Sequence, residues 1–131
     1  MFEHENSVSE MYPQLVLPEP MFYVVNDFED IHPVELLFAE ALHERGLFIY
    51  REPEVSGMSH IPDFYVYSPF AHSGKLVEIT LMNKDGVGAC RKTKLRKERQ
   101  LEDLCNCGIP FTILHRKELE NMRRYCYEGL F

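Results

Sequence analysis

A chain of 131 residues, 45% of them apolar, can bury the core of one domain. No apolar run approaches the ~18 residues of a membrane span, and a net charge of −7 argues against a general nucleic-acid coat protein. The opening MFEHENSVSE is acidic and polar rather than a secretory signal, so a soluble, intracellular (cytoplasmic) protein is expected.

Residues 1 to 20 show no clear period, and Pro13, Pro18 and Pro20 predict extended pieces. Met21 to Asp27 reads as a short strand. The first strong helix is expected from Pro33 to Arg45, with Pro33 suited to its first position and Gly46 to its stop. Leu37, Phe38, Ala41 and Leu42 form its apolar arc, and Glu40 and Glu44 lie opposite. Glu35 falls at the edge of that arc. It is the acid of this helix best placed to look inward, although a glutamate in a first turn also suits the helix dipole. Leu47 to Val55 is a strand interrupted at Pro53.

The stretch Ile61 to Lys84 holds two apolar runs joined by the turn-forming segment Ser68 to Gly74. Each run carries one carboxylate, Asp63 and Glu78. Side chains alternate along a strand, so Ile61, Asp63, Tyr65 and Tyr67 share a face, as do Leu76, Glu78 and Thr80. Paired as a hairpin, the runs bring both acids to one side. Carboxylates within apolar strands are costly unless paired, solvated or bound to a cation, and two together suggest a divalent-cation site.

The glycines of Asn83 to Gly88 match neither nucleotide-loop pattern. A second helix is expected from Ala89 to Asn106, ending near Gly108. Its segment Cys90 to Arg99 holds six basic residues against one acid, a strip compatible either with nucleic-acid contact or with a solvated face. On the wheel Cys90, Lys94, Lys97, Leu101, Leu104 and Cys105 share a face, with Leu101 and Leu104 packed. Lys94 and Lys97 continue that face, either snorkelling to solvent or meeting the carboxylates. Gly108 to Arg116 is a last strand, and a strand-helix-strand run predicts a parallel crossover. A short helix from Lys117 to Arg124 and an apolar tail from Tyr125 to Phe131 end the chain. The four cysteines, Cys90, Cys105, Cys107 and Cys126, form no Cys-x-x-Cys pairs and read as free thiols.

Four pieces in this order, HPVELLFAEALHERG, IPDFYV, KLVEIT and KTKLRKERQLEDLCNCGIPFTIL, resemble the PD-(D/E)XK nuclease superfamily, with its restriction-endonuclease-like fold, over Pro33 to Met122. The resemblance implies an α/β fold in which a central four-stranded mixed sheet is flanked by helices. The order is helix-strand-strand-strand-helix-strand-helix. It implies one domain, with residues 1–30 an N-terminal extension and 33–122 the nuclease-like core. It also implies an endonuclease that hydrolyses DNA with Mg²⁺ or Mn²⁺. Asp63, Glu78 and Glu35 would hold or serve the metal, with the Ile79 carbonyl as a further oxygen ligand. The chain departs from the pattern at Thr80, which stands where the superfamily has lysine. Some members draw that lysine from the next helix, and the wheel points first to Lys94, then to Lys97. Thr80 and Gln100 are accessory candidates, and Arg91, Lys92, Arg96 and Arg99 are candidate phosphate contacts. A homodimer or a partner subunit is compatible with this reading. The alternative is a nuclease-fold subunit that has lost catalysis and binds nucleic acid or a protein.

Overall fold

The computed structural model describes residues 2–21, 33–80 and 91–115, with the backbone alone at 33–37 and Thr93. The sequence-based strand at Met21 to Asp27 (beyond Met21), the turn at Asn83 to Gly88, Lys84, Cys90, Cys126, the helix Lys117 to Arg124 and the tail to Phe131 lie outside the described residues.

The expected extended start holds around the prolines but is overturned at its first residues. Glu3–Met11 forms helix α1, followed by a short strand β1, Leu15–Val16. Two acids in the first turn, Glu3 and Glu5, favour the helix dipole. The Glu5 carboxylate also accepts the Phe2 backbone N–H at 2.9 Å, as in half of a capping box. The helix escaped the sequence reading because Val8 is its one buried residue. Its remaining anchors are aromatic. The His4 ring stacks on Tyr67 with centroids 4.3 Å apart, and His4 Nε2 lies 2.6 Å from the Tyr50 hydroxyl. Tyr50 in turn donates to Glu5. The first residues therefore help to build the core.

Helix α2, Pro33–Glu44, follows the expected apolar arc: Phe38 and Leu42 are buried, with Ala39, and Glu44 is exposed. Gly46, at φ 77°, provides the left-handed turn that ends it. Strand β2, Phe48–Arg51, is separated from β3, Glu54–Val55, by Glu52 (φ 52°) and Pro53, so the expected interruption is real. The short β3 turns away to pair with β1.

Strand β4, Phe64–Ser68, and strand β5, Ser73–Thr80, form the central hairpin. The strand starts later than its apolar run suggested, and Ile61 is exposed. Helix α3, Arg91–Asn106, leads to β6, Phe111–His115, which lies parallel to β5 as a crossover requires. The main sheet has the order β2-β4-β5-β6, antiparallel except for the β5-β6 pair. The fold is mixed α/β, with three helices, this four-stranded mixed sheet and the small β1-β3 sheet among the described residues. No described helix is long and apolar enough to cross a membrane.

Alternation divides the core into two layers. On one face Ile49, Phe64, Val66, Val77 and Ile79 pack with Phe38, Ala39 and Leu42 of α2. On the other, Tyr50, Tyr65 and Leu76 pack with Val8, Leu15 and Leu104. Helix α3 therefore shares a face with the even-numbered residues of β5, including Glu78 and Thr80.

The packed face of α3 differs from the wheel. Leu104 is fully buried, and Lys97, Gln100 and Asp103 are half-buried on its side. Leu101 is 43% exposed, and Lys94 and Cys105 are also exposed. The wheel weighed leucines alone. The helix instead settles a mostly polar stripe against the sheet, because polar partners await it there.

Candidate active site

In the β4-β5 ladder Phe64 faces Val77 and Tyr65 faces Leu76. One further step in that register sets Asp63 opposite Glu78, on the face shared with α3. The hairpin thus brings the two carboxylates together as the alternation predicted.

The backbone explains why a proline precedes Asp63. The Leu76 N–H points away from β4 to the Pro110 carbonyl. Its odd-numbered neighbours on β5 therefore point toward β4. The next ladder partner for Ile79 on that side is Pro62, which has no N–H to give. The Ile79 N–H is taken by the Asp63 carboxylate at 2.6 Å. The Ile79 carbonyl projects to the same side as its N–H, beside Asp63, and Pro62 cannot donate to it.

Glu78 lies close enough to favour a proton on Asp63, both through its negative charge and as an acceptor for the protonated acid. Burial, and then the charge of Glu78, push the Asp63 carboxyl up to about 7; the Ile79 N–H and the Lys97 ammonium pull the other way. Glu78 is 7% exposed. Two facing acids whose repulsion favours a proton would also favour a hard divalent cation between them. Asp63, Glu78 and the Ile79 carbonyl are donors of the type that Mg²⁺ and Mn²⁺ prefer. Among the described residues no group of three His, Cys, Asp or Glu side chains is placed to hold a metal.

The other expected residues distribute as follows. Glu35 lies in the first turn of α2, on the opposite layer; its side chain is outside the described set. Thr80 is buried on the Glu78 face and is neutral. Of the helix lysines, Lys97 is half-buried and acts electrostatically on Asp63, whereas Lys94 is exposed. Gln100 is half-buried one turn beyond Lys97. Arg91, Lys92, Arg96 and Arg99 are exposed along α3. Cys105 and Cys107 are free thiols.

Three residues of this site were not singled out by the sequence reading. His60 Nε2 lies 3.1 Å from Glu78 Oε2. His60 Nδ1 lies 3.6 Å from Asp103 Oδ2 on α3. Ser59 donates both its backbone N–H, at 3.2 Å, and its hydroxyl to the same Asp103 oxygen. Those two hydrogen bonds are the main reason the Asp103 carboxyl is held below its usual range. The one available signal was the position of Ser59-His60 just ahead of the Pro62-Asp63 step.

No protein-family model, curated protein or solved structure matches this chain.

Proposed function

We propose that the protein is a divalent-metal-dependent endonuclease that hydrolyses DNA phosphodiester bonds, on a restriction-endonuclease-like fold. The observation that carries this reading is Asp63 opposite Glu78, a half-buried and a buried carboxylate facing each other across the hairpin, with the charge of half-buried Lys97 acting on Asp63. In support, the main-sheet strands and their helices run α2-β2-β4-β5-α3-β6, compatible up to residue 115 with the order expected from the sequence resemblance.

Asp63 and Glu78 would hold Mg²⁺ or Mn²⁺, with the Ile79 carbonyl on the same side. A bound divalent ion supplies a water of lowered pKa and neutralises charge on phosphoryl oxygens. Lys97 takes the role that Thr80 cannot, as the helix lysine whose positive charge acts on Asp63, where negative charge develops during hydrolysis. This reassigns the role from Lys94. Arg91, Lys92, Lys94, Arg96 and Arg99 lie exposed along the same helix. Such side chains fix a phosphate backbone in position without reading base sequence.

The test is cleavage of supercoiled plasmid and of branched DNA with Mg²⁺ or Mn²⁺, comparing wild type with Asp63→Ala. Metal-dependent nicking that the variant lacks is the expected result. DNA binding without cleavage by wild type would replace this reading with that of a nuclease-fold subunit without catalysis, and Thr80 would mark the change.

A further inference from the structure

We infer that His60 is the positioning residue of this site, bridging Glu78 on the sheet to Asp103 on helix α3; the inference rests on reading Asp63 and Glu78 as a cation site. The bridge has three members with separate duties. Glu78 has an imidazole nitrogen against one carboxylate oxygen, at 3.1 Å. An ionised carboxylate only accepts, so His60 Nε2 carries the proton in that contact. Such a hydrogen bond fixes the carboxylate rotamer and leaves the rest of the group to face Asp63. At the other end Nδ1 is buried and makes no hydrogen bond among the described residues. Its neighbour is the Asp103 carboxylate, at ion-pair distance. Asp103 is held in turn by two donors from Ser59, the residue before His60.

The consequence concerns Lys97. Helix α3 buries one leucine fully, Leu104, while Leu95 and Leu101 remain exposed. Apolar packing therefore does little to fix its rotation. Asp103 is adjacent to Leu104 and lies six residues, under two turns, from Lys97. Locking Asp103 to the Ser59-His60 corner fixes the rotation of the helix, and with it the half-buried side that carries Lys97, whose charge acts on Asp63. One short segment, Ser59 to Asp63, thus supplies an acid of the site, the brace for its partner acid, and the catch for the helix that carries the lysine.

The members separate by experiment. Mn²⁺ affinity is measured by isothermal titration on wild type, His60→Ala, His60→Gln and Asp103→Asn, and plasmid nicking is followed at saturating Mn²⁺. Removing a group that orients a metal-binding side chain costs about 10- to 100-fold in affinity. His60→Ala is expected to weaken Mn²⁺ binding by at least tenfold. His60→Gln keeps a donor for Glu78 and restores most of that affinity. Asp103→Asn leaves Mn²⁺ affinity within about twofold and lowers the nicking rate at saturation, because it frees the helix and not the acids. A merely structural histidine would not divide the two readouts. If His60→Ala does not fold, the Gln and Asn variants decide the same question. His60→Ala and His60→Gln that bind Mn²⁺ like a binding-competent wild type overturn the positioning role and leave the cation site standing. Wild type that binds no Mn²⁺ overturns both.

Discussion

Asp63 accepts the Ile79 backbone N–H at 2.6 Å, across a ladder position that Pro62 cannot complete. A side chain doing a backbone's work is held tightly, and here it is held next to a second acid. That arrangement is unfavourable for the ionised protein alone. The Asp63 carboxyl rises from 3.8 to about 7 in the folded state. Below pH ~4 both folded and unfolded forms carry the proton and the acid costs nothing. Between about pH 4 and 7 the unfolded chain ionises first, so stability falls as pH rises, by on the order of 4 kcal/mol in all. Asparagine mimics the protonated acid, able to accept from Ile79 and donate to Glu78. In urea unfolding with chelator present, Asp63→Asn is expected to exceed wild type by about 1–3 kcal/mol at pH 8 and to equal it at pH 3.5. A gap of the same size at both pH values would mean that the Asp63 proton is not its source.

A cation that replaces the Asp63 proton must release it. Titrating Mn²⁺ at pH 6 in buffers of different ionisation enthalpy is expected to report about one proton released per ion bound. At pH 8, above the raised carboxyl, the release falls toward zero, and affinity is correspondingly higher. Binding at pH 6 with no proton release would place the ion away from Asp63.

Lys97 and Lys94 are one turn apart, and they test the orientation of α3. Lys97 is half-buried and its charge bears on Asp63; Lys94 is exposed. Lys97→Ala is expected to lower nicking about 100-fold at saturating metal, the scale for removing one group that stabilises developing charge. Lys94→Ala should lose less than tenfold, chiefly through weaker DNA binding that reappears at low salt. The reverse order would return the role to Lys94.

The helix wheel puts both lysines on the packed face, whereas Lys94 is exposed, and the reason is physical. Leucines were assumed to choose the buried face, yet Leu101 is left exposed while Asp103 and Gln100 turn inward. What holds Asp103 is Ser59 and His60, 44 and 43 positions earlier in the chain. No local period can show such a pairing. Helix α1 was hidden similarly, since His4 and Phe2 anchor it through rings on β2 and β4 rather than through an apolar stripe. The hairpin was legible because strict alternation allows few registers. A slip by one residue between the two strands would have put Asp63 and Glu78 on opposite faces and turned one strand's apolar set the wrong way.

Gly74 and Tyr65 offer a test of that hairpin independent of function. Gly74 lies in β5 opposite Tyr67, with the Tyr65 ring closing over it. A methyl group added there would overlap the Tyr65 hydroxyl and meet the Val66 carbonyl at 2.8 Å. The backbone on one side cannot yield, so Gly74→Ala is expected to cost about 2–3 kcal/mol by overpacking. The Tyr65 hydroxyl is buried and finds no hydrogen-bond partner among the described residues. Removing an unsatisfied hydroxyl relieves a desolvation cost, so Tyr65→Phe is expected to stabilise by about 1 kcal/mol. The two changes share a contact and should not add. With the hydroxyl gone the new methyl loses its closest obstacle, though the ring carbon Cζ at 2.6 Å and the Val66 carbonyl remain. The double variant is then more stable than the sum of the single effects by about 1 kcal/mol. Chemical denaturation of the four proteins closes the cycle. Strict additivity would mean that the Tyr65 hydroxyl carries none of the cost.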